Sequence, residues 1–127
     1  MSFQILKEVR DSLCSDPNIT SKVAVDDIRV GWQEALVSFP SVYITTVAER
    51  DRGQLGFAYN NRRAVETTIQ IDVIGRKSVQ EVVEIGDAIT SRMLQLGYQK
   101  VGDLETYDTL IRCHRKTLRF TRLIYVE

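Results

Sequence analysis

The sequence is poor in the residues on which metal binding, disulfide bonding and nucleophilic catalysis depend. It has two cysteines, one histidine and one tryptophan among 127 residues. Two thiols do not form a disulfide framework in a chain of this length, so we predict that Cys14 and Cys113 are free in a reducing compartment. His114 follows Cys113 directly, and on a strand their side chains would point to opposite faces. We therefore predict no catalytic residues, no metal site, no cofactor and no enzymatic activity.

An excess of charge of either sign is also lacking, because 17 lysine and arginine residues are balanced by 17 aspartate and glutamate residues. Such a chain lacks the long-range field that draws general nucleic-acid or membrane binders to their targets. Near-zero net charge also removes the repulsion that keeps copies of a protein apart. No apolar run approaches the length of a membrane span, and the N-terminus lacks the pattern of a secretory signal, so we expect no membrane partner.

Apolar residues recur with helical spacing in two stretches. The first runs over Ser2–Leu13 with charged residues on its other face. The second begins at a capping box formed by Ser78 and Glu81, and it ends at Gly97, which we predict to adopt a left-handed conformation. Gly86 falls within the apolar stripe of this second helix. A glycine there costs about 1 kcal/mol relative to alanine, which indicates that the helix approaches the sheet closely.

Strict alternation marks Val65–Val73 as the clearest strand, with one buried face and one polar face. A one-sided strand of this kind is typical of an antiparallel sheet covered on one face. Tyr98–Val101 and Glu105–Leu110 form either a pair of strands or one bulged strand. Further strands are predicted at Ile28–Trp32, Ser41–Val47 and Ile111–Val126. The fold prediction is one α+β domain over residues 1–127, with an antiparallel sheet of about four to six strands and two main helices on one face.

Residues 48–63 differ in character from the strands on either side of them. Charged residues stand at both ends of this stretch with glycine and asparagine between them, which is the composition of an exposed hairpin arm. Apolar residues at alternate positions indicate that the arm packs on its own domain or awaits a partner. The residues that we take as candidates for a subunit or tube interface are Arg50, Arg52, Leu55, Phe57, Tyr59, Arg62 and Arg63.

The last predicted strand carries a local excess of basic residues. Nucleic-acid contact is one interpretation of this pattern. The other is an ordinary solvated sheet face, or charge on an edge strand that blocks unwanted pairing. The candidates for a surface that faces a lumen or a partner are Arg112, Arg115, Lys116, Arg119 and Arg122.

The order of these landmarks resembles the tail-terminator (tail-completion) proteins, which are minor tail proteins of long-tailed bacteriophages. No single segment is diagnostic, and the resemblance depends on their order over nearly the whole chain. The stretches that carry it are Ile5–Val25 leading to Asp27–Gly31, the proline-led strand Phe39–Ile44, the strand Thr68–Gly75 with the helix Val79–Leu96, and the final strand Leu118–Leu123.

The resemblance implies a structural virion protein that forms a ring, usually a hexamer, on the finished tail tube. Such a ring ends tube polymerisation and offers a surface to the head-completion or connector protein. DNA passes through the lumen, so its contact with the protein would be transient. The implied location is the head-proximal end of the tail in the virion, and the host cytoplasm during assembly. The resemblance transfers no catalytic motif.

Three alternatives stay open at this point. A head–tail connector or stopper protein has a similar size and ring geometry. A cytoplasmic α+β module that binds a small ligand or peptide would be a monomer or dimer with a closed apolar pocket. A small enzyme that uses His114 is the third alternative, and it would lose all function on replacement of that residue.

Overall fold

The computed structural model describes residues 2–31, 39–53 and 63–126. Its helices are α1 (Ser2–Cys14), the short α2 (Pro17–Thr20) and α3 (Val79–Gln95), with a 3-10 turn at Val25–Asp27. Its strands are β1 (Ile28–Val30), β2 (Ser41–Gly53), β3 (Arg63–Gly75), β4 (Gln99–Asp108) and β5 (Cys113–Val126). The predicted α+β class is confirmed.

The five described strands form one sheet in the order β1-β2-β3-β5-β4. The pairs β2–β3, β3–β5 and β4–β5 are antiparallel, as predicted. β1 pairs with β2 in parallel, so the sheet is mixed and the prediction was wrong for this strand alone. The direction of a three-residue strand depends on how the chain returns to the sheet, and alternation of side chains carries no information about that.

Helices α1 and α3 cover the same face of the sheet, and the hydrophobic core lies between the helices and the strands. The buried face predicted for Val65–Val73 is confirmed, because Ile69, Ile71 and Val73 are buried in this core. The prediction of a solvated opposite face was wrong at Asp72, which is 1% exposed. The helices contribute Leu6, Val9, Leu13, Val82, Ile85, Ile89 and Met93, and the neighbouring strands contribute Val42, Ile44, Leu118 and Phe120. Burial of this one continuous cluster is the main favourable term that holds the layers together.

Both predicted ends of α3 are confirmed. The hydroxyl of Ser78 accepts a hydrogen bond from the backbone N–H of Glu81 at 3.2 Å. At the other end Gly97 has φ of 90°, and the N–H of Tyr98 donates to the carbonyl of Met93 at 3.1 Å. This Schellman-type bond satisfies a carbonyl that the end of the helix would otherwise leave open. The helix therefore has defined ends that its own sequence specifies.

Arginine side chains link α1 to β1 and to α3 by hydrogen bonds. Arg10 donates from Nε to the carbonyl of Ile28 at 2.8 Å, which links α1 to the first residue of β1. Arg92 of α3 donates from Nε to the hydroxyl of Ser12 at 2.9 Å. Hydrogen bonds from a charged donor are stronger than neutral ones, so these two contacts fix the position of α1 over the sheet.

The structure after α3 decides between the two predicted strand arrangements and changes the predicted start of the last strand. The residues from Gln99 to Asp108 form one strand with a register shift between Lys100 and Gly102, so the bulged strand was the right alternative. The last strand begins at Cys113 and not at Ile111. The chain turns just before it, where Arg112 has φ of 54°. This turn could not be read from hydrophobicity, because its residues continue the apolar and basic pattern of the strand.

Candidate assembly surfaces

The predicted arm begins and ends in paired strands. Arg50 and Arg52 lie in β2, and Arg63 is the first residue of β3. β2 and β3 form an antiparallel hairpin that is paired as far as Gly53 and Ala64. Leu55, Phe57, Tyr59 and Arg62 lie outside the described residues. Protrusion of the arm and its role as an interface therefore stay predictions.

The base of this hairpin is joined by the predicted last strand, β5, whose position beside the arm we did not predict. β5 continues beside β3 until Val126 pairs with Arg63. Among the described residues the edge strands stop earlier, because β1 pairs with β2 up to Ile44 and β4 pairs with β5 up to Thr121. The three central strands therefore extend beyond both edges of the sheet. A three-stranded ribbon is more stable than an isolated hairpin, so the arm has a firm base.

On the sheet face opposite the helices, a buried carboxylate organises part of the basic strand. Asp72 is 1% exposed, and its Oδ1 accepts hydrogen bonds from Thr117 Oγ1 at 2.7 Å and Arg115 Nε at 3.2 Å. Its Oδ2 accepts from Gln70 Nε2 at 2.9 Å. The Oε1 of Gln70 in turn accepts from Arg119 Nε at 3.1 Å. One continuous hydrogen-bond network thus positions both arginines on this face.

Lys116 lies on the other face, beneath α3, and is 6% exposed. Its Nζ donates to Asp103 at 2.7 Å and to Glu105 at 2.8 Å. Burial disfavours its positive charge, but the hydrogen bonds to these two carboxylates more than offset that effect, so the pKa of Lys116 is raised. Burial also opposes the charge of Asp103, yet its hydrogen bonds with Lys100 and Lys116 hold the pKa of Asp103 below its ordinary value.

The structure therefore does not bring the five basic candidates together. Arg115 and Arg119 share one face, whereas Lys116 is paired with acids on the other. Arg122 lies over the ring of Tyr98, with its guanidinium carbon 5.5 Å from the ring centroid. Arg112 belongs to the turn between β4 and β5. The interpretation of β5 as a charged edge strand is wrong, because β5 lies between β3 and β4.

A surface that the sequence prediction missed lies along β4, which is an edge of the sheet. Its large apolar side chains Val101, Leu104 and Tyr107 are more than half exposed, and Leu110 in the turn that follows is 93% exposed. They recur every third residue, a spacing that fits neither a one-sided strand nor a helix. That irregular spacing, on a strand whose residues are all exposed or partly exposed, is the signal that could have revealed this surface.

Cys113 and His114 lie on opposite sides of β5, as predicted. Cys113 is buried in a small cluster with Tyr43 and Ile74, and its thiol donates to the carbonyl of Ile111 at 3.3 Å. His114 contacts the ring of Tyr107 edge-on, with ring centroids 4.9 Å apart. The two side chains cannot act as a nucleophile and its base.

Within residues 2–31, 39–53 and 63–126, no three His, Cys, Asp or Glu side chains are grouped as metal ligands, and no helix is long and apolar enough to cross a membrane. Two surface hollows measure about 340 and 330 Å³. Charged and polar residues form most of their lining, such as Lys77 and Glu84 in one and Glu66 and Arg122 in the other. They differ from the closed apolar pocket that the ligand-binding alternative predicts.

The fold defines the chain as an α+β protein in which the five described strands form a mixed sheet covered by helices on one face. No protein-family model and no curated protein matches the sequence. Among solved structures, the fold is similar to that of a chain in the virion of a native gene transfer agent (GTA) particle, with a TM-score of 0.71 and 11% sequence identity. The similarity covers 93% of this chain and 92% of that chain, so the two share a fold over nearly their whole lengths.

Proposed function

We propose that this chain is a structural protein of a phage-like virion and not an enzyme. The observation that carries the proposal is the full-length fold similarity to a chain of a gene transfer agent virion, with a TM-score of 0.71. The separation of Cys113 from His114 supports a structural role, because it removes the one nucleophile–base pair that neighbouring residues could offer. The proposed location is the virion, after assembly in the host cytoplasm.

More specifically, we propose that the chain is a tail terminator. Copies form a hexameric ring at the head-proximal end of the tail tube, end its polymerisation and offer a surface for head joining. The order of sequence landmarks over Ile5–Leu123 supports this role, as does the net charge of zero, which permits close packing of identical copies. The three central strands that extend beyond the sheet edges provide a rigid base for contact with the tube.

The proposed partners are other copies of the chain, the tail tube protein and a head-completion or connector protein. DNA would contact the ring only as it passes through the lumen. Arg115 and Arg119 are the candidates for that contact, because both lie on the face opposite the helices. Arg115 is already paired with Asp72, so the face carries limited excess positive charge. A weak electrostatic attraction of this kind suits DNA in transit better than DNA held in place.

The test is to add purified protein to tail tubes and to heads, and to measure the mass and the position of the bound protein. We expect rings at one end of each tube, no further growth when free tube protein is added, and recovery of head joining. Tubes that were capped beforehand serve as the control. Tubes that keep growing in the presence of the protein would overturn the terminator role, and binding to heads alone would identify a connector or stopper instead.

A further inference from the structure

The outer side of β4 has backbone groups that the described part of the chain leaves open. From Gly102 to Asp108 the strand pairs regularly with β5. On its other side no described strand pairs with it, and among the described residues no further backbone–backbone hydrogen bond involves this segment. Leu104, in the middle of the segment, is 60% exposed. An open edge that carries an exposed apolar side chain attracts another strand.

The two faces of this edge differ in chemistry. Leu104 pairs with Thr117, which belongs to the hydrogen-bond network on the face opposite the helices. Asp103 and Glu105 lie on the face that the helices cover, where both accept from Lys116. The side chains of these acids stay 32% and 45% exposed, whereas that of Lys116 is 7% exposed, so solvent on this face meets mainly the carboxylates. The edge therefore suits a strand that is apolar on one face and polar or basic on the other.

We infer that the β4 edge binds the segment Gln54–Arg62 of a second copy of this chain. Alternate positions of that segment hold three large apolar residues, Leu55, Phe57 and Tyr59. In an extended strand these three share one face, and they can cover Leu104. The other face of the strand has small or polar side chains and the positive charge of Arg62, which complements the exposed acids Asp103 and Glu105.

The same segment of one chain is too short to reach the middle of its own β4 edge. It leaves the paired strands after Gly53 and rejoins them at Arg63, so its midpoint lies at most about 17 Å from that base. Leu104 pairs with Thr117, and Arg63 pairs with Val126, nine residues further along β5. Nine residues of a strand span about 30 Å. The segment that covers Leu104 therefore comes from another copy.

This pairing rests on the proposed assembly of identical copies, but it does not depend on attachment to a tail tube. The edge and the segment are different surfaces of one copy, so the contact is head-to-tail and can repeat from copy to copy. Main-chain hydrogen bonds supply the attraction, and the apolar side chains add buried area. The net charge of zero leaves no long-range repulsion between copies.

The first experiment compares the wild-type protein with Leu104→Lys and with the matched control Leu94→Lys. Leu94 is 55% exposed and lies on α3, away from the edge. Native mass spectrometry measures self-association over a concentration series of free protein, and after cross-linking of protein bound to tail tubes. Thermal unfolding checks that all three proteins fold. We expect Leu104→Lys to weaken self-association by about tenfold or more, while Leu94→Lys behaves as the wild type.

The second experiment identifies what binds the edge. A photo-reactive amino acid replaces Leu104 in an isotopically labelled population, which is mixed with unlabelled protein and irradiated, with and without tail tubes. Mass spectrometry of the digested conjugates identifies the captured segment and shows whether it comes from another copy. The same amino acid at position 94 is the control. We expect conjugates between copies that join position 104 to Gln54–Arg62, and none of these from position 94.

Unchanged self-association of Leu104→Lys, a wild type that never self-associates, or conjugates from position 104 that lack Gln54–Arg62 of another copy would each overturn the pairing. Conjugates with tube protein alone would also overturn it and assign the edge to the tube. The proposed function fails separately. If copies pair in this way but tubes keep growing, the terminator role is wrong and the pairing stands; if rings cap tubes without this contact, the pairing is wrong and the terminator role stands.

Discussion

Gly86 of α3 lies directly against the side chain of Lys116 on β5, and a Cβ atom at position 86 would be only 3.2 Å from Lys116 Cγ. The lysine cannot move away freely, because Asp103 and Glu105 hold its ammonium group. Glycine lowers the helix propensity of α3 at position 86, and it stands where the helix packs against the ion-paired Lys116 of the sheet. The glycine allows the helix to approach the sheet, and the cluster holds the lysine stem under the helix.

Gly86→Leu should destabilise the protein by about 1–3 kcal/mol, which is the usual cost of overpacking a tightly packed site. Asp87→Leu, at the exposed neighbouring position of the same helix, is the control and should change the free energy of unfolding by less than about 0.5 kcal/mol. Denaturant unfolding measures both values. Equal stability of the two variants would show that the contact between α3 and Lys116 is loose.

The free energy of unfolding should fall at both high and low pH, because Lys116 loses its charge at high pH and Asp103 loses its charge at low pH. The pKa of Lys116 is raised in the folded state, so its contribution is complete below the ordinary value of 10.5 and is lost as pH rises through the higher folded value. The pKa of Asp103 is lowered, so its contribution is complete above the ordinary value of 3.8 and is lost as pH falls through the lower folded value. Between these limits the cluster contributes a constant amount.

Lys116→Met tests this assignment, because it keeps much of the apolar stem and removes the charge. The alkaline loss of stability should become smaller than in the wild type when the free energy of unfolding is measured against pH. Lys77→Met, at an exposed lysine in the turn before α3, is the control and should leave the alkaline profile as it is. An unchanged profile for Lys116→Met would mean that other groups cause the alkaline loss.

Asp72→Ala should destabilise the protein by about 2–3 kcal/mol, since charged hydrogen bonds contribute that order of magnitude and the buried carboxylate accepts three of them. Asp72→Asn keeps the shape and should cost less. Asp87→Asn on the exposed face of α3 is the control. If Asp72→Ala unfolds at the same denaturant concentration as the wild type, Asp72 does not stabilise the face that carries Arg115 and Arg119.

Replacing Gln54–Arg63 with an Asn-Gly turn should leave the domain folded and abolish assembly on tail tubes. The strands on either side are already paired at Gly53 and Ala64, and a two-residue turn of this type suits the twist of a hairpin. Thermal unfolding measures the fold, and the mass of protein bound to tubes measures assembly. A shortened protein that still completes tails would rule out the arm as the contact with a subunit or the tube.

Several elements of the fold could be predicted from the sequence because their determinants lie close together in the chain. Ser78 and Gly97 specify the ends of α3 through hydrogen bonds within one or two turns. The alternation of Val65–Val73 specifies which face of β3 is buried. Gly86 indicated a close approach that the structure places at Lys116. Each of these features depends on local hydrogen bonding or on the period of the side chains.

The sequence by itself determined the α+β class, the two main helices, the core-facing side of β3 and the separation of Cys113 from His114. Only the tertiary structure decided the order of the strands, the parallel pairing of β1, the interior position of β5 and the exposure of the β4 edge. It also decided that Lys116 is buried with two acids while Arg115 and Arg119 share the opposite face. Strand order and partner choice depend on contacts between residues far apart in the chain, and no local period encodes those contacts.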